Sequence, residues 1–494
     1  MGRSSLNEPP GPVEARQYLA SQPPELRVPN ALERIGRKIS ESGRRLAVLD
    51  DDPTGTQTVH GVPVLTTWSV EDLRWALEQP YSTFYILTNS RSFPEEEAAR
   101  MNREISANLA SAAEQAGEEF AIVSRSDSTL RGHYPAETQA LGEALRVGFD
   151  GVVLCPCYIE AGRLTVDGIH WVRQSERLVP AGETEFAGDA SFGYSSSNLA
   201  AWVEEKTTGR IQAAEVASVG LADIREGGPG RVAEILLGVS GGRPVVVNAA
   251  SYADLEVFVI GLLDAEEKGK RFLYRTGPSF VRVRGGISEK GPLSAGELYG
   301  HRPRQGHGPV LVGSHVEMTT RQLEHALALS DVRPVELSVP RLLDAGARDG
   351  ELDRVVSEVN LGLVEAEVVV YTSREVIRSG AGTTGLEMGV SVSDALVEVM
   401  QQVDRRLPLA FVVAKGGITW SDVGTRGLGV RRAEVAGQML PGIISVWILP
   451  EDSAFPGLPY VIFAGNVGEE DDSGVVRVFE NANGAGRAGV SLQI

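Results

Sequence analysis

The sequence predicts an α/β protein of two domains, each built on a mostly parallel sheet flanked by helices, with a cleft between them. Three observations lead there. Short apolar runs alternate with amphipathic stretches through both halves of the chain, which is the pattern of βαβ units. A length of 494 residues exceeds what one hydrophobic core usually sustains. A stretch from about Gly286 to Gly308, rich in Gly, Pro, His and Arg and without clear periodicity, separates the two series. The expected divisions are a polar lead-in over residues 1–44, a first domain over 45–285, a connection over 286–308 and a second domain over 309–494.

In chain order, the first series of strands is Leu46 to Leu49, Phe84 to Leu87, Phe120 to Val123, Gly151 to Leu154 and Pro244 to Val247. Pro94 to Ala116 and Ala136 to Arg146 are helix-like stretches between them. The second series is Pro309 to Val312, Val335 to Val339, Glu367 to Tyr371, Ala410 to Val413 and Ile443 to Ile448, with a helix expected over Thr319 to Leu329. No internal repeat aligns, and no long low-complexity tract interrupts either series.

A formal charge of −19 argues against nucleic acid or an anionic membrane as the main partner. It leaves room for an anionic small molecule, because local cations can dominate a site. Cys155 and Cys157 flank Pro156, too close for a relaxed disulfide and without a second pair for a metal. They read as small buried residues in a reducing cytoplasm. The first 29 residues have no apolar stretch of signal-peptide type, and no run approaches transmembrane length. The expectation is a soluble cytoplasmic protein; an apolar helix face exposed in either domain would support a homodimer.

The acids come next. The run Leu46-Ala47-Val48-Leu49 leads straight into Asp50-Asp51-Asp52-Pro53-Thr54-Gly55. Packing does not call for three adjacent carboxylates, since each must stay solvated or paired. Ligands of parallel sheets bind beyond the carboxyl ends of the strands, where this cluster falls. Two further clusters occupy equivalent places: Thr88-Asn89-Ser90-Arg91-Ser92, and Ser124-Arg125-Ser126-Asp127-Ser128-Thr129-Leu130-Arg131-Gly132-His133. Arginine suits bidentate capture of a carboxylate, while Ser, Thr, Asn and Asp read sugar hydroxyls. Together the three clusters carry the polar groups of a site for a small hydroxylated acid.

Glycine dominates the second half. Gly313-Ser314 ends one strand, Ala414-Lys415-Gly416-Gly417-Ile418-Thr419 follows another, and Ile462-Phe463-Ala464-Gly465-Asn466-Val467-Gly468 repeats the pattern. Glycines let backbone N–H groups approach phosphate oxygens closely, so the three loops together suggest a nucleotide site. Gly380-Ala381-Gly382-Thr383-Thr384-Gly385 matches a dinucleotide pattern formally. The polar segment Thr372 to Ser379 separates it from its strand, which weakens the match. Neither a Walker-type phosphate loop nor His or Cys spacing for a transition metal occurs.

These residues resemble the four-carbon acid sugar kinase family, whose members phosphorylate threonate, erythronate or their 3-oxo relatives with ATP. The resemblance runs from about Leu46 to the end. It is carried by Asp51 to Gly55, Ser90-Arg91-Ser92, Asp127 to Gly132, Ala161-Gly162-Arg163 with Asp167-Gly168, Gly313-Ser314, Gly416-Gly417-x-Thr419 and Gly465-Asn466-x-Gly468. It implies a first domain that binds the sugar acid and a second that binds ATP. Arg91 and Arg125, Ser126, Asp127 and Ser128 would bind the acid; Ser314, Gly416, Gly417, Ile418, Thr419 and Gly465 would line the ATP site. Many members have lysine at the positions of Arg125 and Phe463 and alanine at that of Thr56.

The implied reaction is ATP-dependent phosphorylation of a hydroxyl on a four-carbon sugar acid, with ATP and Mg²⁺ as cofactors. Asp51, Asp52 and Asp127 are the candidates for the base or for a carboxylate organising Mg²⁺; spacing does not separate these roles. Arg91 and Arg125 would hold the substrate carboxylate, and domain closure would exclude water. Two alternatives stand beside this: an NAD(P)-dependent oxidoreductase on a similar acid, resting on Gly380 to Gly385, and a non-catalytic sugar-acid-binding protein.

Overall fold

The computed structural model describes residues 11–52, 55–56, 58–145, 147–300, 305–328, 332–373, 385–416, 419–440 and 444–463. It divides into two compact units, residues 1–289 and 290–494.

The first unit contains β1 (Val13–Glu14), β2 (Arg44–Asp50), β3 (Val62–Leu65), β4 (Thr83–Leu87), β5 (Glu119–Arg125), β6 (Gly151–Cys155), β7 (Arg163–Val166), β8 (Ile169–Gln174), β9 (Arg177–Pro180), β10 (Ala217–Val219), β11 (Arg243–Val247) and β12 (Phe272–Thr276). Eight of these form a parallel sheet in the order β10-β11-β6-β12-β5-β2-β4-β3. From β2 the chain runs to one side through β3 and β4, then returns to place β5 on the other. The carboxyl end of β2 is therefore a topological switch point, where open α/β sheets form their ligand crevice.

The apolar run in β2 is buried on both faces, as a central parallel strand requires: Leu46, Ala47, Val48 and Leu49 are at most 3% exposed. Ala47 and Leu49 pack with Leu73, Leu77, Phe84, Ile86, Ile105 and Leu109. The long helix Glu95–Ala116 starts after Pro94 with three glutamates in its first turn and stops at Gly117, whose φ is +68°. Acids at the positive end and a left-handed glycine at the other mark those boundaries.

The polar lead-in takes part in the fold. Val13–Glu14 pairs with β9 at the edge of a small antiparallel sheet, β1-β9-β8-β7. The helix Ala31–Ser42 buries Ile35 and Ile39, one turn apart on one face. Strands β1, β3, β7, β8, β9, β10 and β12 have no counterpart among the sequence expectations, β3 and β10 being only four and three residues long.

The second unit contains β13 (Pro309–Val312), β14 (Val332–Leu337), β15 (Glu367–Thr372), β16 (Val412–Lys415), β17 (Arg432–Leu440), β18 (Ile444–Ile448) and β19 (Pro459–Phe463). Their order is β17-β18-β19-β16-β13-β15-β14, parallel from β19 to β14 and antiparallel through β17, β18 and β19. Val339, expected at the end of a strand, instead opens the helix Val339–Leu343 with Pro at its start. The strand expected over Ala410 to Val413 is shifted toward the carboxyl end, so Ala414 and Lys415 lie in β16 and not in the loop.

Within 286–308, Ser294 and Glu297 cap the short helix Ala295–Tyr299 reciprocally. Leu293 and Leu298 pack into the core of this unit with Val310, Phe411 and Val461. One turn of helix is too short to show periodicity, so the sequence shows no element there. Among the described residues no helix is long and apolar enough to cross a membrane.

Candidate functional site

In the first unit the three polar clusters converge on the carboxyl ends of β2, β4 and β5. Thr88 Oγ1 donates to the carbonyl of Asp50 at 2.8 Å and ties the end of β4 to that of β2. Asn89 then adopts a left-handed backbone with φ of +50°, and the 3₁₀ turn Ser90–Ser92 carries Arg91 over the strand ends. Arg91 becomes the hub. Its Nε lies 3.3 Å from Asp51 Oδ1 and its Nη1 3.4 Å from Asp127 Oδ1, while Nη2 pairs with Asp52. One guanidinium thus links all three acids singled out by the sequence.

Around this hub the electrostatics differ from acid to acid. Burial pushes Asp50 up to about 6 against the pull of Arg125, whose Nη1 sits 2.9 Å away. Burial also raises Asp51, to about 8; Arg91 and Arg275 oppose this and Glu137 adds to it. Asp127 goes the other way. Burial would raise it, but Arg91, Arg131 and Thr129 hold it well below the usual carboxylate range. Arg131 Nε donates to Asp127 Oδ2 at 2.9 Å, one helical turn's spacing further along the chain.

The loop after β5 is shaped for close approach. Leu130 and Gly132 have φ of +70° and +115°. A Cβ at Gly132 would lie 3.0 Å from both Asp51 Oδ2 and Arg275 Nη2, so a side chain would crowd the buried acid. Ser126 and Ser128 are buried in this loop. The Ser128 carbonyl bonds to His170 Nε2 at 2.7 Å, and Thr165 Oγ1 contacts His170 Nδ1 at 3.0 Å. Burial lowers His170 to about 4, so it is a neutral strut for the loop.

The buried polar atoms Asp51 Oδ1 and Oδ2, Glu137 Oε2 and Arg275 Nη1 make no hydrogen bond, although Asp51 Oδ1 is ion-paired with Arg91 Nε at 3.3 Å and Arg275 Nη1 and Glu137 Oε2 face each other at 3.6 Å. Such a cluster keeps capacity for ligand hydroxyls. Among the described residues no group of three or more His, Cys, Asp or Glu side chains is placed to hold a metal ion, and Asp51, Asp52 and Asp127 face Arg91.

Arg91 and Arg125, expected to hold the substrate carboxylate, are both ion-paired inside the unit. Arg125 is a buried residue of β5, register partner of Asp50 and paired with it. Arg91 is engaged by three carboxylates. Both were singled out by residue type, which does not show who holds the charge. The rim also contains Glu137, Arg163 and Arg275, to which no role was assigned from residue spacing. Arg163 lies within a motif of the family resemblance, whereas Arg275 arrives on β12, a strand not foreseen.

In the second unit β13 lies between β15 and β16, again at a switch point. A Cβ at Gly313 would overlap Thr419 Oγ1. One at Gly416, whose φ is +140°, would lie 2.8 Å from the same hydroxyl and 3.2 Å from the Ser314 amide. Gly313, Ser314, Gly416 and Thr419 therefore meet at the strand ends, and glycine is required where they cross. Lys415 is buried beside them, its Nζ 3.5 Å from the centre of the Phe463 ring, and burial lowers it to about 7. His315 Nε2 contacts Thr372 Oγ1 at 3.1 Å. Gly417, Ile418 and Gly465 lie outside the described residues, as do Gly380 to Thr384; Gly385 opens the helix Gly385–Gln401.

The comparisons agree with this division. Residues 46–284 match a sugar-binding N-terminal domain, and residues 310–472 match a nucleotide-binding C-terminal domain. No curated protein matches the chain. Among solved structures, a Salmonella typhimurium LT2 protein described under a provisional tRNA synthase name superimposes with a TM-score of 0.65 at 20% identity, covering 88% of this chain and 98% of its own. A Haemophilus influenzae protein of the DUF1537 family gives 0.64 at 21% identity, covering 89% and 99%. At these identities the likeness is one of fold.

Proposed function

We infer from the four-carbon acid sugar kinase architecture of this chain that it transfers the γ-phosphoryl group of ATP to a hydroxyl of a four-carbon sugar acid. The observation that carries this reading is Arg91 bound to Asp51, Asp52 and Asp127 at the switch point of a sugar-binding domain. A plain anion receptor gains nothing from three carboxylates, whereas a site that must orient hydroxyls and take a proton uses them.

The roles divide by charge state. Asp127, held ionised by Arg91 and Arg131, accepts hydrogen bonds from substrate hydroxyls. Asp51, raised by burial, exchanges a proton near neutral pH and is the base. As the hydroxyl oxygen attacks the γ-phosphorus, its proton passes to Asp51 and the bond to the bridging oxygen of ADP breaks. Arg91 fixes the three acids relative to one another, and Asp52 shares that positioning. In the second unit, Ser314, Gly416 and Thr419 bind phosphate oxygens, with Lys415 supplying charge. Magnesium enters with the nucleotide as Mg-ATP, and no residue of the first unit is assigned to it.

The test is ADP formation from Mg-ATP with threonate, erythronate and 3-oxo-tetronates, with the phosphorylated product identified by mass. Acid-dependent ADP formation supports the kinase. Binding of an acid with no transfer from ATP would instead identify a non-catalytic sugar-acid-binding protein.

A further inference from the structure

We infer that Arg163 anchors the carboxylate of the acceptor acid, deepening the kinase reading by naming the residue that makes the site select an acid over a neutral polyol. Five guanidinium groups gather at the rim of the first unit. Four face carboxylates: Arg91 faces Asp51, Asp52 and Asp127; Arg125 faces Asp50; Arg131 faces Asp127 and Asp189; Arg275 faces Glu137. Among the described residues no carboxylate lies within ion-pair distance of Arg163.

The surroundings of Arg163 hold it in place without neutralising it. Its Nη1 donates to the carbonyl of Ala161, two residues back, and its Nε is buried with no hydrogen-bond partner. The backbone is fixed by a bridge to Tyr158, 2.9 Å from Arg163 N to the Tyr158 carbonyl and 3.0 Å in return. Gly162, with φ of +69°, makes the turn into it, and a Cβ there would lie 2.6 Å from Arg173 Cβ. The guanidinium stacks on Phe186 at 5.7 Å from the ring centre, and the same ring carries Arg131 at 5.2 Å. Asp127 is the carboxylate whose charge bears on Arg163 most strongly, so the cation stands within electrostatic reach of the hydroxyl-binding acid.

Burial lowers the pKa of Arg163 despite that neighbour, the reverse of Arg91, Arg125 and Arg131, where carboxylates outweigh burial. A half-buried guanidinium with no carboxylate at ion-pair distance among the described residues suits a planar anion, which arginine can meet with two parallel hydrogen bonds. A short hydroxy acid could place its carboxylate on Arg163 and its hydroxyls toward Asp127.

The experiment titrates the full chain by calorimetry with four-carbon hydroxy acids and with the corresponding uncharged alditols, and follows phosphoryl transfer separately. Arg163→Gln should weaken the acid by about 10- to 100-fold, as expected for a lost charged hydrogen-bond pair, and leave alditol binding unchanged. Should Arg163→Gln not fold, Arg163→Lys carries the test: charge without the fork should still weaken the acid several-fold. Unchanged acid affinity, equal losses for acid and alditol, or a wild-type protein that binds no carboxylate would each overturn the anchor. Acid binding that depends on Arg163 with no transfer from Mg-ATP would leave the anchor standing and overturn the kinase reading. Transfer to an acid whose affinity ignores Arg163 would do the opposite.

Discussion

Arg125 Nη1 lies 2.9 Å from Asp50 Oδ1, and the two residues are also register partners across β5 and β2. Both are buried, so the pair locks the ends of the two central strands from within the sheet. Removing one partner of a buried ion pair leaves an uncompensated charge. Arg125→Met should therefore cost about 3–5 kcal/mol of folding stability, and adding Asp50→Asn should recover part of that loss. Denaturant unfolding of the two variants measures it, and a loss below about 1 kcal/mol would show that the pair does not hold the strands.

Arg91 should behave as a positioning residue with a steep effect on turnover. Its planar fork reaches three acids, which a lysine ammonium cannot imitate. Arg91→Lys is expected to lower kcat about 100-fold while changing nucleotide KM by less than about 3-fold. Steady-state kinetics with saturating Mg-ATP would check this, and a change confined to nucleotide KM would contradict it.

Asp51 sets a pH dependence whose sign is fixed. As a base raised to about 8, it becomes competent as pH rises, so kcat should climb from pH 6 toward a plateau above about 8. Asp51→Asn should remove the slope along with most of the rate. The stability effect runs the other way. A carboxyl whose folded pKa is raised contributes stability below its unfolded pKa near 4, and that contribution is lost as pH rises toward 8. Relative to wild type, Asp51→Asn should therefore gain melting temperature progressively over that interval. A constant difference would refute it.

Lys415 predicts an opposite trend for the nucleotide. Burial lowers it to about 7, so it loses charge as pH rises through neutrality and its attraction for phosphate falls. Affinity for ATP should weaken by about 10-fold between pH 6 and pH 8.5, and Lys415→Met should abolish that dependence. Calorimetric titrations with Mg-ATP at the two pH values provide the measurement.

The sequence showed where the acids are but not how they are held. The run Leu46 to Leu49 is apolar at every position, so burial on both faces and the exit of Asp50, Asp51 and Asp52 at a strand end could be read directly. The same holds for Arg91 and Asp127, each placed by an adjacent strand. Arg275 and Glu137 could not be recognised, because one comes from an unforeseen strand and the other from inside a helix. Gly313 and Gly416 could be seen as loop glycines, yet only packing against Thr419 shows why each must be glycine.

Local pattern thus determined the class of fold, the positions of ten strands along the chain and the carboxyl-end placement of the polar clusters, since hydrophobic periodicity and turn residues act over a few neighbours. Tertiary structure decided which charges cancel. Arg125 and Arg163 look alike in sequence, but the first spends its charge on Asp50 across a strand pair, while the second sits on Phe186 with no carboxylate at ion-pair distance among the described residues. That difference depends on distances of a few ångströms between residues far apart in the chain, which spacing along the sequence does not encode.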